Sequence, residues 1–118
     1  MLQASAEDWD RGDLDAFLGT YQDSSSTTFM TGPGVVHGLQ TIRAGYRRNY
    51  FKAGALPPRL RFEQLAVRSL GPDYALATGR FILTDRAAGA GVGRGNFSLV
   101  LHRTPAGWKI IHDHSSAE

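Results

Sequence analysis

Apolar positions along the chain follow two different periods. Up to about residue 54 they recur at spacings of three and four, the mark of one helix face; from residue 59 they alternate, the mark of a strand. In the first stretch, Leu2, Ala6 and Trp9 share a side and predict a helix over residues 1–11. No capping residue precedes Leu2, as expected of a helix that has lost its first turns. Gly12 interrupts the pattern and Asp13 is a suitable cap for a second short helix, "LDAFLGTY", with Leu14, Phe17, Leu18 and Tyr21 facing inward. The polar run "QDSSS" ends it. A short strand "TTFM", a turn at "TGPG" and a brief arm "VVH" lead into the longest helical pattern, residues 38–54, where Leu39, Ile42, Tyr46 and Tyr50 line one face. The prolines of "ALPP" stop it.

Four strands are predicted beyond the prolines. "RLRFEQLAVRSL" switches its apolar parity between Leu60/Phe62 and Leu65/Val67, which predicts a bulge near Gln64. "GPD" turns the chain into "YALATGRFILT". The glycine-rich "RAAGAGVGRG" reads as a flexible hairpin tip, followed by "NFSLVLHR", the turn "TPAG" and the closing "WKIIHDHSS". Helices first and an antiparallel meander second define an α+β fold, one domain over residues 1–118.

Composition narrows the class. With 42% hydrophobic and 20% charged residues the chain reads as a soluble globular protein, and no apolar run reaches the roughly 18 residues of a membrane-crossing helix. With no leader pattern either, a cytoplasmic location is expected, and no membrane partner. The absence of cysteine rules out disulfides and thiolate metal sites. A formal charge of +2 offers little to a polyanion, so no nucleic-acid partner is expected; Arg43, Arg47, Arg48 and Lys52 read as a solvated helix flank.

Three segments, "WDRGDLDAF", "VVHGLQTIRAGY" and "LHRTPAGWKIIHDHSS", resemble the SnoaL-like branch of the nuclear transport factor 2-like superfamily. The last is also similar to the association domain of calcium/calmodulin-dependent protein kinase II. The resemblance implies a cystatin-like cone: N-terminal helices lying across a strongly curved antiparallel sheet that encloses one pocket. It also implies a homodimer formed through the outer sheet face. It does not fix a function, because this fold hosts many.

The resemblance places Arg80 at a pocket arginine of the kinase association domain, whereas the matching positions for two further arginines are Leu99 and Ser115. One arginine can still hold a carboxylate or enolate through paired hydrogen bonds. Ketosteroid isomerases share the fold, but their base would fall near Met30 or Thr31, their tyrosine near Ser5 and their protonated acid near Leu99; none of these residue types matches. SnoaL-type cyclases use an acidic base in the pocket. In the strand region only Asp85 and Asp113 could serve, and Asp113 lies between His112 and His114.

The histidines at i and i+2 of a strand share a face, so His112 and His114 could grip one metal while Asp113 points away, although a stable site needs a further ligand. The reading preferred for "HDHSS" is a fold signature first and a pocket wall second, with no metal and no cofactor. An acid–base role for His112 needs an orienting partner such as Ser98 or Tyr50. Arg11-Gly12-Asp13 spells an adhesion tripeptide but reads as a helix–helix corner. The function expected is binding of a small, partly apolar molecule bearing a carboxylate or carbonyl. Arg80 would anchor it, Tyr21, Tyr46, Tyr50 and His114 would shape the polar end, and His112 is the candidate catalytic group. Acid–base isomerisation or cyclisation of a carbonyl substrate, and a purely oligomerising module, are the alternatives.

Overall fold

A computed structural model of the chain describes residues 1–52 and 54–118. Its elements run α1 (Leu2–Asp10), α2 (Leu14–Leu18), β1 (Thr28–Thr31), β2 (Gly34–His37), α3 (Leu39–Asn49), β3 (Arg59–Ser69), β4 (Tyr74–Thr84), β5 (Gly91–Thr104) and β6 (Gly107–Ala117). The strands form one sheet in the order β2-β1-β6-β5-β4-β3. All neighbours are antiparallel except β1 and β6, whose parallel pairing ties the early arm to the end of the chain.

Local chemistry explains the boundaries. The corner between α1 and α2 is made by Gly12 at φ +76° and by the Asp13 carboxylate, which accepts the Ala16 N–H at 3.0 Å. This is the helix–helix corner expected of Arg11-Gly12-Asp13. α1 is fastened to the start of β3 by two long-range bonds. The Trp9 indole N–H donates to the Pro58 carbonyl at 2.7 Å, and the Asp10 carboxylate accepts the Leu60 N–H at 2.8 Å.

α3 ends at Asn49, short of the span expected to residue 54; position 53 lies outside the described residues. The Tyr50 and Phe51 N–H groups both close on the Tyr46 carbonyl, and the chain then turns so that both rings reach Trp9, with centroids at 5.3 and 4.8 Å. Aromatic packing overrides helix propensity here.

β3 carries the bulge expected from its parity switch: the register shifts between Glu63 and Ala66, and Gln64 adopts φ +55°. The glycine-rich stretch departs from expectation. Gly91, Gly93 and Gly95 belong to β5 and pair with β4, so the hairpin tip shrinks to the turn closed by the Asp85 and Ala90 backbone. Asp85 organises that turn by accepting the N–H groups of Ala87 and Ala88.

The helices cover the concave face of the sheet. Ala6, Trp9, Leu14, Phe17, Leu18, Tyr21, Leu39 and Ile42 form one buried cluster with Leu60, Ala75, Ala77, Leu83, Phe97, Leu99, Leu101 and Ile110.

Candidate functional site

The concave face and the helices enclose a cavity of about 110 Å³ whose walls are almost entirely aromatic and aliphatic. Trp9, Phe17, Phe29, Phe62, Phe81 and Phe97 supply most of the ring surface. Phe62 and Phe97 meet edge-on at 5.4 Å, and Trp9 sits among Phe17, Tyr46, Tyr50 and Phe51.

One polar cluster interrupts this wall. Asp113 on β6 is buried, with its Oδ2 accepting the Tyr21 hydroxyl at 2.6 Å and its Oδ1 accepting the Ser115 hydroxyl at 2.7 Å. The Tyr21 and Tyr46 oxygens lie 3.0 Å apart. Tyr21 has a single proton and gives it to Asp113, so Tyr46 is the donor within the tyrosine pair. The result is a relay that runs from Tyr46 through Tyr21 to the carboxylate.

Burial sets the electrostatics of this cluster. It pushes the Asp113 carboxyl above its ordinary value, against the lowering effect of the Tyr21 and Ser115 hydrogen bonds. Burial, reinforced by the Asp113 charge, pushes both Tyr21 and Tyr46 well above the usual tyrosine range, so both stay protonated donors at physiological pH. An acid with enhanced basicity therefore stands beside two permanent hydroxyl donors in an apolar chamber.

The structure sorts the expected site residues into two groups. Tyr21, Tyr46 and Tyr50 line the cavity. Arg80, His112 and His114 stand on the opposite face of the sheet. Arg80 lies between the inward Gly79 and Phe81; its guanidinium bonds Asn96 at 3.1 Å and pairs with Glu118, away from the cavity. His112 lies beside Thr28, its Nδ1 at 2.6 Å from the threonine hydroxyl, and His114 is exposed opposite Ser98. Among the described residues no three His, Asp or Glu side chains come together as metal ligands would.

The inversion of "HDH" has a single cause. Leu101 pairs with Ile110 and Val100 with His112, which leaves Ile111 as a bulge. Alternation counted from the inward Ile110 would turn both histidines inward; the extra residue reverses the phase and presents Asp113 and Ser115 instead. Two adjacent isoleucines break the alternation, and that is the signal in the sequence that could have revealed it. Asp113 stands directly across the sheet from Leu99, its cross-strand partner on β5.

Comparisons with known proteins agree with this fold. The family model for the SnoaL-like domain matches residues 1–118, and the chain belongs to that family. Among curated proteins none matches significantly. A nuclear transport factor 2-like protein of unknown function from Shewanella oneidensis is 28% identical, with a TM-score of 0.85 over 98% of this chain and 92% of that one. A Xanthomonas campestris protein provisionally named as a calcium/calmodulin-dependent protein kinase II association domain is 19% identical, with a TM-score of 0.73 over 99% and 82% of the two chains. A ketosteroid isomerase-like protein from Erwinia carotovora is 17% identical, with a TM-score of 0.69 over 98% and 89%. The last two show likeness of fold. No helix is long and apolar enough to cross a membrane among the described residues.

Proposed function

We propose that the cavity takes up a small, mostly apolar carbonyl compound and that Asp113 moves a proton on it. The observation that carries this reading is the buried Asp113 carboxyl, held by Tyr21 and Ser115 in an otherwise apolar chamber. A pocket that only stored an apolar molecule would gain nothing from a buried carboxylate, which is costly to remove from water.

The chemistry follows from the placement of the groups. The carboxylate takes a proton from the carbon next to the carbonyl, and the electron pair of that C–H bond moves onto the carbonyl oxygen. Tyr46, whose hydroxyl is the outer end of the relay, turns its proton to that oxygen. The protonated Asp113 then returns the proton to the same carbon or to a conjugated one, giving exchange in the first case and isomerisation or ring closure in the second. Burial helps twice, by raising the basicity of Asp113 and by excluding water from the enolate.

Deuterium incorporation into β-tetralone, followed by proton NMR in heavy water, tests this reading. The wild type is expected to accelerate exchange over buffer, and Tyr46→Phe to slow that acceleration by about a hundredfold through loss of the oxygen-facing donor. Exchange no faster than in buffer would overturn it.

A second proposal concerns assembly. Half-buried Leu76, Ile82 and Val100 share the convex face with His112 and Thr28, while the helices occupy the other side. A second copy of this chain is the partner that such a face fits. Sedimentation equilibrium is expected to give twice the chain mass, and Val100→Glu to shift the population toward the monomer. A wild type that sediments at the monomer mass would overturn this.

A further inference from the structure

The entrance to the cavity has a charge pattern opposite to that of its interior. A wider space of about 420 Å³ between α3, β1 and the end of β6 shares Phe29, Tyr46, Tyr50, Phe81 and Ser115 with the cavity and so forms its mouth. A second opening beside it shares Tyr50, Phe81 and Leu83 with the cavity. Arg48 lines the first opening, Lys52 and Arg94 the second, and neither is lined by an aspartate or glutamate among the described residues.

These cations differ in their availability. Arg94 is tied to the Glu118 carboxylate at 2.9 Å. Arg48 and Lys52 have no carboxylate within ion-pair distance among the described residues. Gly45, one helical turn before Arg48, leaves room for its side chain: a Cβ there would lie 3.9 Å from the guanidinium, which folds back along the lip of the mouth. Tyr50 lines the cavity and both openings, so it stands at the junction between the charged rim and the apolar chamber.

From this arrangement we infer that the natural ligand is an amphipathic acid, with its anionic head held at the rim by Arg48 and Lys52 and its carbonyl-bearing apolar body in the chamber. The inference rests on the cavity reading above and adds the ligand's class and polarity. An anionic group cannot occupy the inner end, because it would stand against the Asp113 carboxylate without a cation to compensate. The sequence suggested a single arginine as the carboxylate anchor; the structure offers this role to α3 and the segment after it in place of Arg80.

The test compares β-benzoylpropionate, an aryl keto acid, with its neutral methyl ester, by calorimetry or by quenching of Trp9 fluorescence. At low salt the acid is expected to bind about fivefold more tightly, because an exposed ion pair contributes only modestly. The ratio should fall toward one in Arg48→Ala/Lys52→Ala and reverse in Arg48→Glu. Both positions are exposed and outside the core, so these variants should remain folded. A preference for the acid that persists in the double variant overturns the rim assignment and leaves the cavity reading intact. An ester that binds as tightly as the acid in the wild type does the same. Failure of both compounds to bind, together with no exchange into β-tetralone, overturns both.

Discussion

Asp113→Asn is expected to lower the proton exchange catalysed in the cavity by about a thousandfold, within the range usual for loss of a positioned base, while the fold survives. Asparagine keeps the shape of the side chain and can still accept the Tyr21 hydroxyl, and the Ser115 hydroxyl can rotate to accept from the new amide. What disappears is the ionisable group. The stability of the variant relative to wild type should also depend on pH in a definite direction. Burial raises the Asp113 carboxyl above its ordinary 3.8, so the folded chain holds that proton more tightly than the unfolded one. The resulting stabilisation is complete below the ordinary value and is lost as pH rises through the higher folded value. Above that window the wild type carries a buried charge and the variant does not. Melting temperatures measured from about pH 4 upward should therefore show Asp113→Asn gaining on wild type as pH rises, and running parallel to it once the raised folded value has been passed. A difference independent of pH would mean that the carboxyl is not desolvated, and the case for an activated base would fail with it.

That residue also shows where sequence reasoning reaches its limit. The helices, the Asp13 cap, the Gln64 bulge and the span of β4 were all legible, because each depends on local periodicity or on one residue's preference. So was the inward placement of Tyr21 and Tyr46, since both fall in phase with the apolar faces of their segments; Tyr50 reaches the cavity from beyond the end of α3. The polar end of the cavity was legible only as a set of residue types. Which member of His112-Asp113-His114 faces inward depends on one unpaired residue at Ile111, and a strand has no intermediate state: a slip of one reverses every side chain after it. The same rule sends Arg80 outward. Its position between Gly79 and Phe81 in sequence admits either face, and only the burial of Ala75, Ala77 and Leu83 fixes the parity. The cationic rim depends on contacts between α3, β1 and β6, which no single segment announces.

The second large effect is expected from Gly95→Ala, at about 3 kcal/mol of lost stability, the upper end for overpacking. Two short runs of the same form, Gly79-Arg80-Phe81 on β4 and Gly95-Asn96-Phe97 on β5, pair antiparallel so that each glycine faces the other strand's phenylalanine. The central pair, Arg80 and Asn96, hydrogen-bonds on the outer face at 3.1 Å. On the inner face each ring reaches over the opposing glycine: a Cβ at Gly79 would come within 2.8 Å of Phe97, and one at Gly95 within 2.8 Å of Phe81 and 2.0 Å of the Ser116 carbonyl. The ring at Gly79 could swing aside, but the carbonyl at Gly95 is backbone and belongs to a paired strand, so relief there means moving β5 away from β6. Gly95 is not in the left-handed region, so the cost is one of space and not of backbone conformation. For a chain of this size the loss corresponds to a fall in melting temperature on the order of 10–15 °C. Gly93→Ala is the control, because its Cβ would meet only Leu83 at 3.5 Å, an ordinary contact, and should change stability by less than about 0.5 kcal/mol. Equal melting temperatures for the two variants would show that Phe81 does not rest on Gly95. A large difference would mean that the space at Gly95, between the Phe81 ring and the Ser116 carbonyl, admits no side chain, so that this part of the chamber wall is set by a residue carrying none of its own.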